Sequence, residues 1–305
     1  MLSEIKTRKV IWVNAESPTK EKLAELQKKY GLHILVAEEL SQPTIRPKAD
    51  FYDNLIYLIL HFPIYDIKKQ TSLSREIDFV IGSNFLITIS YDTITPLHEL
   101  FKMTQADSSL KNKYLGESGG LLFFHIAKQF YNFSLREIDH IQQKIEKVEE
   151  RLFQNREKEM VRKISVVKRD VLDFKRIIKP HEIILKSLTE KETEKFFGKK
   201  FRPYLNDLVG EYFKVRQLIE NHKEVVDALH ATNESLLSTK TNEVIKNLTI
   251  MAFLTFPLML LSSLFGMNTL YLPFVGKKGD FWLIIAIMVS ATLAMLFVFK
   301  KKKWI

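Results

Sequence analysis

Gly266, Met267 and Asn268 lie in the stretch LFGMNTLYLPF, residues 264–274, where one apolar run ends and shortly before another begins. Asparagine carries a carbonyl acceptor and amide donors without net charge. At the end of an apolar run, Asn268 can therefore hold water or an ion's hydration shell without placing a fixed charge there. The other familiar chemistries are missing. The chain has no cysteine, which excludes disulfides, thiolate zinc sites and cysteine nucleophiles. Its eight histidines are scattered, and none pairs at the helical spacing of a metal site. No Gly-rich phosphate loop and no Ser-His-Asp order is present. The expectation is a protein that is not an enzyme and carries no resident cofactor.

The elements around Asn268 are apolar enough to cross a bilayer. No residue from Asn247 to Gly276, and none from Phe281 to Phe299, carries a formal charge. The second run would span roughly 28 Å as a helix, close to the hydrocarbon thickness of a membrane. The chain has 305 residues, room for a soluble domain plus a membrane part, and a net charge of +10 from 46 Lys and Arg against 36 Asp and Glu. A basic balance suits nucleic acid or an anionic membrane face. Lys300 to Lys303, in the terminal KKKKWI directly after the apolar run, decide for membrane lipid as the partner and against nucleic acid. The positive-inside rule places this tail in the cytoplasm, and two spans return residues 1 to 240 to the same side. The start, MLSEIKTRKVIW, is charged where a secretory signal needs an apolar core. A multi-pass cell (inner) membrane protein with both termini cytoplasmic is expected.

The soluble part divides by pattern. RKVIWVN and NLIYLILHFPIY read as strands, DFVIGSNFLITISYD as two strands joined at Gly82-Ser83-Asn84, and TKEKLAELQKKYG as a helix capped by Thr19 and ended by Gly31. Residues 1–120 form the expected α/β domain and residues 121–200 a set of charged helices, broken near Pro180. Pro203 suits the first turn of a final long helix. Leu205, Leu208, Tyr212, Val215, Ile219, His222, Val226, Leu229, Asn233 and Leu236 make a stripe in steps of three and four, suited to packing on a neighbouring helix. His222 reads as a packed or partly solvated member of it. Residues 201–246 are the stalk part of the helix, 247–268 the first span, 269–280 an outer loop, 281–299 the second span and 300–305 the basic tail. A single two-span chain cannot enclose a pore, so transport would require several copies around an axis.

The sequence NEVIKNLTIMAFLTFPLMLLSSLFGMN, a short loop and a second span ending in KKKKWI resemble the CorA family of magnesium and cobalt channels. The resemblance continues upstream through GLHILVAEEL and RPKADFYDNLIYLIL. It implies an α+β membrane protein: an N-terminal cytoplasmic α/β domain, a long helical stalk and two transmembrane helices, assembled as a homopentameric channel with the first span lining the pore. Gly266, Met267 and Asn268 match the selectivity filter, with Gly266 allowing a tight backbone exit from the helix. Asn242 matches a pore asparagine at the cytoplasmic end. With Asn242 on the axis, helical spacing brings Ile245, Thr249, Phe256, Met259 and Ser263 near it, with Leu248 on the border. Apolar rings among these can close a pore by dewetting. The family commonly has methionine at the positions of Ile245 and Phe256, and its outer loop often has an acidic residue where TLYLPFVGKKGDFW offers only Asp280 and two lysines.

Mg2+ gives up its water reluctantly, so a ring of Asn268 side chains gripping the hydrated ion costs less than one that strips it. The resemblance also aligns Glu39 and Asp207 with carboxylates that meet across a subunit boundary and hold Mg2+, with glutamate at position 39 in place of the family's usual aspartate. Mg2+ is then both transported and regulatory, and Co2+ a second permeant ion. Two alternatives are a Zn2+, Co2+ or Ni2+ transporter of the same fold and a non-conducting, membrane-anchored stalk protein. Met267 disfavours a zinc transporter, and the asparagines bracketing the span disfavour a bare stalk.

Overall fold

The computed structural model describes residues 2–304 except Ile67, Gln70, Asn155, Glu190, Tyr271, Lys277 and Lys303, and leaves the side chains of Lys191, Glu192 and Lys195 undescribed. Lys277 of the outer loop and Lys303 and Ile305 of the basic tail thus fall outside the described residues. In chain order the elements are β1 (Leu2–Lys6), β2 (Ile11–Glu16), α1 (Lys20–Tyr30), α2 (Ile34–Glu39), β3 (Lys48–Phe51), β4 (Leu55–Asp66), β5 (Thr71–Gly82) and β6 (Phe85–Ser90). The helices α3 (Thr95–Ala106), α4 (Ser108–Tyr114), α5 (Gly119–Leu152), α6 (Glu157–Ile178), α7 (His181–Leu188), α8 (Lys191–Phe197), α9 (Arg202–Phe265) and α10 (Asp280–Lys301) follow, with a 3-10 turn at Lys199–Phe201. The chain divides into two compact units, Met1–His230 and Ala231–Ile305, and the division falls within α9.

In the first unit the strands form one sheet in the order β1-β2-β6-β5-β4-β3, antiparallel throughout except for the parallel β2–β6 pair. The strands of DFVIGSNFLITISYD are β5 and β6, joined at Ser83 and Asn84. Both faces are covered, which explains why β4 and β6 read as unbroken apolar runs and not as alternating ones. On one face Tyr57, Ile59, Val80, Ile87 and Ile89 pack with Leu23 and Leu26 of α1 and Val36 of α2. The other face lies against α5 and α6. Thr19 caps α1 by accepting from Lys22 N, and Gly31 ends it in the left-handed region at φ 63°.

The charged helices are an amphipathic pair. Ile138, Ile141, Ile145, Val148 and Leu152 of α5 are buried, as are Met160, Ile164, Val167, Val171 and Phe174 of α6. Their steps of three and four give each helix one apolar stripe, and the remaining faces carry the charge. The stalk stripe behaves in the same way: Leu205, Leu208, Tyr212, Val215, Ile219 and Val226 are buried, while His222 is half-buried. Burial lowers the His222 pKa, in keeping with a packed neutral imidazole. Ion pairs flank the stripe, with Lys128–Asp207 at 2.5 Å, Lys175–Glu220 at 2.7 Å and Arg216–Glu182 at 2.7 Å.

A polar row crosses the covered sheet face. Asp78 is fully buried, and its Oδ2 accepts from the hydroxyls of Tyr91 at 2.9 Å and Tyr57 at 3.2 Å, while Oδ1 has no partner among the described residues. Burial pushes the Asp78 carboxyl well above the usual carboxylate range, and the nearby Glu76 pushes the same way. A native group that holds its proton beyond the unfolded value, about 4 for aspartate, binds more protons folded than unfolded. Its contribution to stability is complete below that unfolded value and is lost as pH rises through the raised native one. Asp78→Asn, uncharged throughout, should therefore hold its melting temperature better than the parent from pH 5 to pH 9. Circular dichroism melts of the detergent-solubilised chain check this, and two parallel pH profiles would contradict it.

The second unit holds the end of α9 and all of α10. Apart from Ile250 and Phe299, which are buried, its apolar side chains are largely uncovered: Phe256 and Met259 on α9 are 65% and 64% exposed, and Leu293 and Phe297 on α10 are 61% and 69% exposed. Helices apolar all round and bare of protein belong in lipid or against further copies of the chain, because water would make that surface costly. Among the described residues, these are the two helices long and apolar enough to cross a membrane.

Candidate functional site

The α9 helix ends at Phe265, and the tripeptide that follows makes its exit. Gly266 N donates to Ser262 O at 3.0 Å and Met267 N to Leu264 O at 3.4 Å, so the last turn tightens before the backbone leaves. Gly266 does not take a left-handed φ. Its smallness matters for another reason: an added Cβ would sit 3.1 Å from Ser262 O, tighter than an ordinary contact. Met267 and Asn268 are exposed beyond the helix end, and Asn268 makes no side-chain hydrogen bond among the described residues. Its amide is thus available to water or to an ion's hydration shell.

At about 100° per residue, Asn242, Ile245, Thr249, Phe256, Met259 and Ser263 fall within an arc of about 100° on α9, with Leu248 just outside it. All seven of these side chains are exposed. Ala252 shares the arc and was not singled out by the sequence reading, because an alanine carries no chemical signal of its own. Thr249 Oγ1 donates to Ile245 O at 2.8 Å, which ties that hydroxyl to its own helix. Pro257 lies inside the helix, where it cannot donate to Phe253 O. The outward-facing chemistry of the arc is therefore polar at Asn242, apolar through Phe256 and Met259, and polar again at Ser263.

Asp280, the one acidic residue of the outer loop, is already engaged. Its Oδ2 accepts from Gly276 N at 2.9 Å and its Oδ1 from Phe281 N at 2.7 Å. It thereby organises the start of α10, where a carboxylate also suits the helix dipole.

Glu39 ends α2, and Asp207 lies in the first turns of α9. Within the single chain both carboxylates are neutralised by lysines. Glu39 pairs with Lys48, which also reaches Asp50 at 2.6 Å. Asp207 pairs with Lys128 at 2.5 Å. Burial works against the charge on Lys48, but its bonds to Asp50 and Glu39 outweigh this and raise its pKa; the bond to Asp207 raises that of Lys128. Among the described residues of the single chain, no three His, Asp or Glu side chains are placed to hold a metal. Lys128 and Asp207 are 79 positions apart, so nothing in the sequence signals their pairing.

These features define a membrane protein: a mixed sheet-and-helix unit continuous with a long helix, two apolar spans, and a first span polar at both ends. The chain belongs to the CorA-like Mg2+ transporter family, whose family model matches residues 7–301. The cobalt/magnesium transport protein CorA of Methanocaldococcus jannaschii is 26% identical over 303 residues, covering 97% of this chain and 92% of the relative. The protein of the same name from Thermotoga maritima is 25% identical over 279 residues, covering 90% of this chain and 78% of the relative. In fold, the chain resembles the complete structure of the M. jannaschii CorA magnesium transporter with a TM-score of 0.85 at 23% identity, over 100% of this chain and 95% of that one. It also resembles the full-length CmaX protein, with a TM-score of 0.75 at 15% identity over 98% of this chain and 90% of that one.

Proposed function

We propose that this chain assembles as a homopentamer in the cell (inner) membrane, both termini cytoplasmic, and conducts Mg2+, with Co2+ as a second permeant ion. The observation that carries the reading is the first span itself. Its surface is apolar and uncovered, yet Asn242 and Asn268 bracket it and Asn268 is free to grip water. The names of the relatives, cobalt/magnesium transport proteins, support the choice of ion. Several copies around an axis would give Asn268 a ring of neutral carbonyls for a hydrated ion. Gly266 and Met267 would set that ring's position. No fuel is needed: a divalent ion moving down 100 mV gains about 4.6 kcal/mol.

Phe256 and Met259, with Leu248 and Ile245 below them, would form apolar rings that close the path by dewetting. Asn242, Thr249 and Ser263 would supply polar steps between them. Phe256→Ala should raise basal leakage several-fold, whereas Asn242→Ala should slow permeation by removing the polar group at the inner mouth. Liposomes loaded with a Mg2+ indicator read both. Unchanged leakage in Phe256→Ala would return that residue to helix packing.

Glu39 and Asp207, from neighbouring copies, would hold a regulatory Mg2+ in competition with Lys48 and Lys128. The reading as a whole is tested by ion uptake into liposomes containing the purified protein, with Mg2+, Co2+, Ni2+ and Zn2+ compared. Mg2+ and Co2+ entry supports it; uptake of Zn2+ alone, or of nothing, overturns it.

A further inference from the structure

Away from the spans, the first unit has a concave groove of about 560 Å³ between α5, α6 and the β4–β5 turn. Its walls are almost wholly basic. Lys144 and Lys163 are committed, to Asp170 at 2.5 Å and Glu159 at 2.6 Å. The other five cations of the lining, Lys69, Lys147, Arg151, Arg162 and Arg169, are exposed and form no ion pair among the described residues. Val148, Val166 and Val167 make an apolar floor beneath them.

This arrangement works against the chain that carries it. Lys147 and Arg151 are one helical turn apart on α5, and like charges at that spacing repel. An anion of high charge relieves the repulsion. Arginine forks favour phosphate oxygens taken two at a time. The volume lies within the range of small-molecule sites, and the charges converge from three segments on a hollow instead of spreading over a flat face. The apolar floor offers a surface for a nucleoside. We infer that the groove binds the polyphosphate chain of a nucleoside triphosphate in its metal-free form. Glu159 is the one carboxylate among the described residues of the lining, so the groove has little with which to hold a bound Mg2+, and Mg2+ on the ligand removes charge that the five cations would otherwise meet.

By linkage, occupancy falls as Mg2+ rises, opposite in phase to the Mg2+ site at Glu39 and Asp207. Only that phase relation rests on the transport reading; the binding itself does not, and it is measured without any flux.

The test is calorimetric titration of the full chain in a neutral detergent at low salt. ATP with chelator present should bind, tripolyphosphate should bind several-fold more weakly, and inorganic phosphate should not bind measurably. Excess Mg2+ should weaken ATP at least tenfold. Arg151→Glu with Arg162→Glu should abolish binding and leave the ligand-free melting temperature unchanged or raised. Lys199→Glu with Lys200→Glu, the same charge change elsewhere in the unit, should leave binding intact. Absence of ATP binding, equal affinity for ATP and its Mg2+ complex, or equal loss in both double variants would overturn the inference. So would binding only to phosphatidylglycerol nanodiscs, which would mark a lipid surface instead.

Discussion

Asn268→Ala should cut Mg2+ flux into liposomes by more than about tenfold, equivalent to at least about 1.4 kcal/mol of lost stabilisation along the path. The variant should still purify as the same oligomer. The side chain is exposed beyond the end of α9 and has no hydrogen bond among the described residues, so its removal costs the fold little. What disappears is the ring of carbonyls that would hold the ion's water. Hexaamminecobalt(III), which carries a shell that does not exchange, should block the parent from the outer face and lose that block in the variant. Asn268→Asp is informative beside it, because a charged ring would hold a divalent ion more tightly and release it more slowly. Normal Mg2+ uptake by Asn268→Ala would remove the tripeptide from the mechanism.

The second large effect concerns inhibition by Mg2+. Glu39→Lys with Asp207→Lys should conduct at Mg2+ concentrations that shut the parent, moving half-inhibition upward by at least tenfold. Mg2+ can favour the closed form only if the site binds it more tightly there. In the single chain, Lys48 and Lys128 already occupy the two carboxylates. Exposed pairs of this kind contribute about 0.2–1 kcal/mol, which a divalent ion between two carboxylates can exceed. Lys48→Met and Lys128→Met should thus act in the opposite direction, each lowering half-inhibition roughly 1.5- to 5-fold. Protease protection of the soluble unit as Mg2+ is varied gives an independent reading. Identical inhibition in parent and double-lysine variant would rule the sensor out.

The parts legible in the sequence were those with long, single-minded patterns. The two spans show as charge-free runs, the stalk as a stripe from Leu205 to Val226, and the central strands as apolar blocks. The edge strands β1 and β3 were missed, since LSEIK and KADF are short and mixed in polarity. Edge positions need little apolar surface, so they leave little pattern. Met267 and Asn268 stood out because of where the helix ends. The partners of the two carboxylates did not, because Lys128 meets Asp207 only through the packing of α5 against α9. The basic groove was hidden for a related reason: its cations come from the β4–β5 turn and two separate helices, and in sequence they look like ordinary solvated charge.

The central claim is that a hydrated divalent ion passes along an axis of α9 helices under the membrane potential alone. The most direct measurement is the initial rate of Mg2+ entry into liposomes holding the purified chain, without nucleotide, as an inside-negative potassium diffusion potential is stepped from zero to 100 mV. The account predicts a rate that climbs steadily with the potential and is silenced by external hexaamminecobalt(III). A rate indifferent to the potential, or no Mg2+ entry at any potential, would contradict it.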